Sequence, residues 1–226
     1  MTRPPIVALL LVVAAATGAA AQARPQPARP APAPAPAPAT SVRAFADFGY
    51  TTFTAADSFE ATLGSAAGAV FGGGAEVVLP QRIFFGVRVS RFQAEGERVF
   101  VDNGERFGLG IPMRVSITPL LVSAGYRFGG PRSIVYPYVG GGIGWHKYEE
   151  TSDFAEADED VSEVFTGYHV LGGAEYRVSR LVGIAGEAEW ATVPDALGQN
   201  ALSVSAAFDE TDLGGFSVRV KLVIGR

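Results

Sequence analysis

Apolar and polar residues alternate along most of the chain after residue 40, and the last stretch shows it best. In Phe216 to Gly225, one face carries Phe216, Val218, Val220, Leu222 and Ile224, while Ser217, Arg219, Lys221 and Gly225 occupy the other. A period of two puts successive side chains on opposite sides of a β-strand. The same alternation predicts eight strands, over 42–53, 66–79, 83–93, 111–128, 134–148, 163–178, 181–193 and 213–225. Each is long enough to cross a hydrocarbon layer when tilted. In the third, Ile83, Phe85, Val87 and Val89 oppose Phe84, Gly86, Arg88 and Ser90; in the seventh, Val182, Ile184, Ala188 and Trp190 oppose Gly183, Ala185, Glu187 and Glu189. Charges keep to one face.

The fourth segment changes phase. Met113, Val115 and Ile117 are odd-numbered, whereas Leu120, Val122, Ala124, Tyr126 and Phe128 are even, and a bulge near Thr118-Pro119 would restore the facing. Connections alternate in length: 80–82, 129–133 and 179–180 are tight, and 54–65, 94–110, 149–162 and 194–212 are long. Three short turns and four long loops are what eight antiparallel strands give when both termini lie on the short-turn side of an outer-membrane barrel.

The N-terminal part reads differently. Arg3, the apolar run Ile6 to Ala16 and the small-x-small site Ala21-Gln22-Ala23 predict a secretory signal over 1–23. Residues 24–40 alternate Pro and Ala, which favours an extended polyproline II tether whose Pro25 to Pro38 portion reaches roughly 40 Å at ~3.1 Å per residue, suited to a periplasmic spacer. A single barrel domain then occupies 41–226.

Composition narrows the function classes. The 226 residues are 48% hydrophobic and contain no Cys, which excludes a disulfide scaffold and a thiolate metal site. Mean hydropathy is positive, yet the apolar run at the N-terminus is the only one approaching helix-spanning length, so membrane crossing has to rest on strands. Three of the 18 Lys and Arg, namely Arg3, Arg24 and Arg29, precede residue 41; the remaining 15 face 23 acids, a net of −8. Nucleic acid is a poor partner for such a surface.

Residues 41–226 resemble the small eight-stranded outer-membrane barrels of the OmpA, OmpX and OmpW kind, the outer membrane protein β-barrel domain. The segment YPYVGGGIGW, Tyr136 to Trp145, carries the resemblance most sharply. It implies an all-β, up-and-down transmembrane barrel in the bacterial outer membrane, contact with outer-membrane lipid, insertion by the outer-membrane assembly machinery, and no cofactor. Such chains commonly end on an aromatic residue, whereas this one ends Ile224-Gly225-Arg226.

Parity alone does not say which face points inward. A secreted lipocalin-like barrel, apolar inside and charged outside, is the structural alternative. Against it, Trp145 and Trp190 lie toward strand ends on the apolar face with Tyr50, Tyr126, Tyr168 and Tyr176, as interface girdles require. Gly140, Gly142 and Gly144 fall on the opposite face, where small residues suit the crowded interior of eight strands. With the charged face inside, the lumen holds Asp47, Glu76, Glu175, Glu187 and Glu189 beside Arg88, Arg114, Arg127, Arg177, Arg219 and Lys221. Five acids against six bases predict paired carboxylates and cations, since an isolated interior charge is costly. Glu187 and Glu189 answer Arg219 and Lys221 on the following strand. The predicted interior is a packed polar plug, and a narrow small-solute channel gated by these ion pairs is the functional alternative.

No catalytic constellation emerges. His146 and His169 share the lumen parity and read as hydrogen-bonded interior residues, and there is no phosphate-binding loop, zinc-binding histidine-glutamate motif or nucleophile elbow. Residues 149–163 carry eight acids and no base; they predict a solvated, self-repelling loop, with divalent cations as candidate partners at Asp153, Asp158, Glu159 and Asp160. The expected role is a non-enzymatic, structural or envelope one, with long loops available for adhesion or binding.

Overall fold

The computed structural model describes residues 39–102, 105–130, 133–152, 161–200 and 203–225. The chain divides into two units, Met1–Ala37 and Pro38–Arg226, and every described residue lies in the second. The expected signal and all but the last two residues of the expected tether fall outside the described residues.

Eight strands form: β1 (Ser41–Phe53), β2 (Ala67–Val78), β3 (Ile83–Asp102), β4 (Glu105–Arg127), β5 (Val135–Thr151), β6 (Val161–Arg177), β7 (Val182–Thr192) and β8 (Gly215–Gly225). Each pairs antiparallel with the next, and β8 pairs with β1 from Arg43 opposite Gly225 to Phe53 opposite Gly215, so the sheet closes as an up-and-down barrel. Closure leaves no unpaired edge around the wall, the condition for strands to stand in hydrocarbon. The closing strand lacks a terminal aromatic residue but is laddered on both sides along its length.

The outward face is oily. Val42, Phe48, Phe71, Phe85, Val139, Val170, Ile184, Val220 and Ile224 are all exposed, with Trp145, Tyr168, Trp190 and Phe216 toward the loop end and Tyr126, Phe128 and Tyr176 toward the turn end. The charged residues Asp47, Glu76, Arg88, Glu175, Glu187, Glu189, Arg219 and Lys221 are buried. This is the inverse of a soluble ligand-binding barrel.

Two expectations need correcting. β3 and β4 are 20 and 23 residues long, so 94–110 is mostly a continuation of the hairpin rather than a loop. Nor is there a bulge at Thr118-Pro119: β4 pairs in constant register with β5 across Ile117, Thr118 and Pro119, and the irregularity in the β3–β4 ladder falls between Glu97 and Val99. The facing of β4 never changes. What changes is the filling of the barrel: Met113, Val115, Ile117 and Leu121 all point inward and are buried, and the inner face turns apolar near the loop end.

That apolar end is a roof. Phe53, Phe92, Met113, Val115, Ile117, Val193, Leu197 and Leu213 pack with Phe59 of a short helix, α1 (Ala56–Leu63), laid across the mouth by the first long loop. The Phe59 ring stacks on Phe53 at 4.3 Å and meets Phe92 edge-on at 6.5 Å. Ala55 offers no capping side chain, so α1 borrows one: Glu210, in the last long loop, accepts from the backbone N–H groups of Asp57 and Ser58 at 3.1 and 2.8 Å. Gly64, at φ 74°, ends the helix in the left-handed conformation that glycine adopts without steric cost. In the same last loop, Asp212 accepts from the N–H groups of Val193 and Gly214 and bonds the Thr192 hydroxyl, and a second short helix, α2 (Val204–Ala207), follows Ser203. Two of the four long connections therefore fold over the barrel.

Candidate functional site: the barrel lumen

Below the roof, alternation turns every second residue of β1, β2, β3, β4, β6, β7 and β8 inward, and these positions carry the charges. Among the described residues, five carboxylates and five cations form two linked clusters. Nearest the short turns, Arg43 bonds Glu76 and reaches Glu175 at 2.8 Å, while Arg127 lies 2.7 Å from Glu175 and 3.5 Å from Glu76. In the middle, Arg88 bonds Glu187, reaches Glu189 at 2.9 Å and faces Asp47 at 3.5 Å. Arg219 bridges Glu189 at 3.1 Å and Asp47 at 3.6 Å, and Lys221 donates to Glu187 at 3.0 Å. Tyr138 donates its hydroxyl to Glu187 at 2.9 Å, and Lys221 also sits 4.2 Å above the Phe45 ring. Planar guanidinium forks suit this sharing, since one Arg satisfies two carboxylates at once.

The interior has little space left over. Phe84 packs edge-on against Tyr138, its ring lying over Gly125 and Gly140, where an added Cβ would come within 2.5 and 2.9 Å of it. A Cβ on Gly142 would sit 1.9 Å from the Val122 carbonyl oxygen, and one on Gly144 2.3 Å from Leu121. Between the ionic clusters and the roof, Ser217 donates to Thr51 at 2.9 Å, and Ser123 hydrogen-bonds His169 at 2.8 Å. A cavity of about 50 Å³, bordered by Thr51, Ser90, His146, Ser217 and Arg219, lies at this level. It has room for a few waters.

The sequence-derived set and the structure differ at three positions. Arg43 belongs to the lumen and was missed, although it shares the odd parity of Asp47 on the same strand. Arg114 does not belong: with no bulge in β4 it faces outward at the exposed loop end, 2.9 Å from Glu95. Arg177 has the right parity but the wrong height; it lies exposed at the end of β6, its guanidinium 4.5 Å from the Tyr136 ring. His146 and His169 are both buried inside; Nε2 of His169 is hydrogen-bonded to Ser123, and Nδ1 of neither ring has a hydrogen-bond partner. Residues 153–160 lie outside the described residues; of the flanking acids, Glu149 pairs with Lys147 at 2.6 Å and Glu150 accepts from Tyr148. Among the described residues, no group of three or more His, Asp or Glu is placed to hold a metal ion.

A closed antiparallel cylinder with an oily exterior and neutralised charges within defines a transmembrane β-barrel. Its architecture is shared with solved outer-membrane proteins. Neisserial surface protein A (NspA) is 16% identical, with 82% of this chain and 96% of that one covered and a TM-score of 0.51. The outer membrane protein OprG from Pseudomonas aeruginosa is 12% identical over 83% of this chain and 95% of that one, with a TM-score of 0.50. At such identities the likeness is one of fold. No protein-family model matches the chain, and no curated protein matches it in sequence. Combined with this fold, the apolar belt and aromatic girdles place the chain in the bacterial outer membrane, in contact with lipid.

Proposed function

We propose that the chain is a non-conducting envelope barrel: a rigid, lipid-anchored platform whose loop-side structures are available for binding. The carrying observation is that the lumen is filled at two levels by different chemistry, a charge-balanced ionic network below and an apolar roof above. An ion entering from the loop side meets an apolar layer, and one entering from the turn side meets carboxylates and cations already paired with each other. Export with removal of 1–23, a spacer role for 24–40 and delivery by the outer-membrane assembly machinery complete the proposal. Purified barrel in planar lipid bilayers is expected to show no stable conductance steps, and reproducible single-channel openings would overturn the closed-lumen reading.

Binding is supported by the β3–β4 hairpin. The β2 ladder ends at Val70 opposite Phe92, and the β5 ladder ends at Thr151 opposite Arg114. Beyond those points the hairpin continues without wall neighbours, exposing Phe100, Phe107 and Leu109. Divalent cations at the acidic 149–163 segment remain part of the proposal, tested by calorimetric titration of the detergent-solubilised barrel with calcium.

A further inference from the structure

The turn end of the barrel carries a one-signed set of exposed charges. Arg82 lies in the turn joining β2 to β3, Arg177 ends β6, and Arg180 lies in the turn joining β6 to β7; all three are exposed. None has an ion-pair partner among the described residues. The carboxylates nearest this end, Glu76 and Glu175, are buried in the lumen pairing with Arg43 and Arg127. Among the described residues this end therefore presents exposed cations and no exposed anion. For a barrel domain with a net charge of −8 that is a pronounced local reversal.

Position makes the reversal chemically specific. Two of the arginines adjoin a lipid-facing apolar side chain at a turn: Arg82 precedes Ile83 and Arg180 precedes Leu181, both exposed on the belt. Arg82 and Arg180, in the turns themselves, thus stand at the lower rim of the hydrocarbon-facing surface, where phosphate groups of the adjoining leaflet lie, whereas Arg177, on an inward-facing position of β6, lies at the mouth of the lumen. The two turns are tied down. The Leu79 N–H donates to the Ile83 carbonyl and Arg82 N–H to Leu79, both at 2.8 Å; Ser179 accepts from the N–H groups of Leu181 and Val182 at 3.2 and 3.1 Å. Arg82 holds φ 68°, a conformation that favours glycine, so the turn keeps a guanidinium where a smaller residue would sit more easily. Arg177 instead lies over the inward-facing Tyr136 ring, 4.5 Å from its centre, and takes no part in this rim.

We infer that Arg82 and Arg180 form a rim that binds the phosphate headgroups of anionic phospholipid in the periplasmic leaflet. Neutral zwitterionic lipid fills the same belt but gives up less to the rim, because its phosphate is partnered by its own cation. The inference rests on the membrane-barrel reading above, and the experiment separates the two.

Mature barrel folded in detergent is exposed to equimolar phosphatidylglycerol and phosphatidylcholine, and retained lipids are counted by native mass spectrometry. Wild type is expected to retain phosphatidylglycerol preferentially. The combined variant Arg82→Gln, Arg180→Gln is expected to lose that preference about fivefold or more, and the double Arg→Lys variant to keep most of it. Arg106→Gln, at the opposite end, leaves it unchanged. Excess inorganic phosphate leaves the lipid adducts in place; their displacement would identify a free-phosphate site and overturn the lipid assignment, as would an unchanged preference in the Gln variant. Heat-modifiable electrophoretic mobility is recorded for every variant. Its absence from wild type would refute the barrel itself, and its presence in a variant without lipid preference locates the effect at the rim.

Discussion

Replacing Arg88 with methionine tests whether the lumen network is a mutual neutralisation or merely a crowd of polar groups. Arg88 contacts three carboxylates, those of Glu187, Glu189 and Asp47, and its side chain is 6% exposed. At an effective dielectric of about 20, a charge pair near 3 Å carries ~5 kcal/mol of gross attraction, most of it offset by the cost of desolvating both ions. The Arg88→Met substitution removes the attraction and keeps the desolvation of the acids. Asp47 and Glu189 retain Arg219, and Glu187 retains Lys221 and Tyr138, so no acid is fully orphaned. The loss therefore falls near the usual range for breaking a buried pair, ~3–5 kcal/mol. Adding Glu187→Gln restores the count of acids to that of bases and should recover at least ~1 kcal/mol in a double-mutant cycle. Urea titration in micelles reads this through the intrinsic fluorescence of the 2 Trp, Trp145 and Trp190, both on the outer face and away from the substitution. A shift under ~1 kcal/mol for Arg88→Met, with unchanged slope, would show that water or rearranged side chains already screen these groups, and the neutralisation argument would fail.

Three further outcomes follow from the wall and the roof. Val220→Arg, at the middle of β8 on the oily face, should cost ~2–4 kcal/mol in bilayers and reduce the membrane-inserted fraction; a variant inserting like wild type would argue that Val220 does not face acyl chains. Phe59→Ala removes a ring stacked in the roof and should cost about 3 kcal/mol or more while leaving the strand content by circular dichroism unchanged; near-neutrality would mean that α1 is not packed down. Glu210→Ala takes away the borrowed helix cap at a cost of ~1 kcal/mol, visible as faster amide exchange in 56–63 with little effect on the wall, and equal exchange in both proteins would refute the capping role.

The wall was legible in the sequence because a two-residue period is a purely local signal and every strand repeats it. The limits of that signal show at particular residues. Alternation reports that Met113, Val115 and Ile117 share a face, but not whether that face is inside or outside. Assuming that oil always points outward required a bulge at Pro119 and turned Arg114 inward; the roof, an apolar interior layer, removes the need for both. Parity likewise carries no height. Arg43 and Arg177 both fall on inward-facing positions, yet one lies within the barrel among carboxylates and the other at its rim, a difference set by where each strand stops. The roof itself was invisible, because α1 and Glu210 meet through loops whose composition carries no period, across a sequence separation of about 150 residues.

The borrowed cap has a bearing on how the cylinder shuts. α1 directly follows the first strand and Glu210 shortly precedes the last, so their hydrogen bonds straddle the one junction in the wall whose two members lie at opposite ends of the domain. Bringing those ends together costs chain entropy that every other neighbouring pair largely avoids. Once the final ladder zips, Glu210 is delivered to the helix at almost no additional cost, and once the helix is latched the ladder is harder to pry apart. Lid and seam thereby become a single cooperative unit, and an unclosed sheet has nothing to hold its lid.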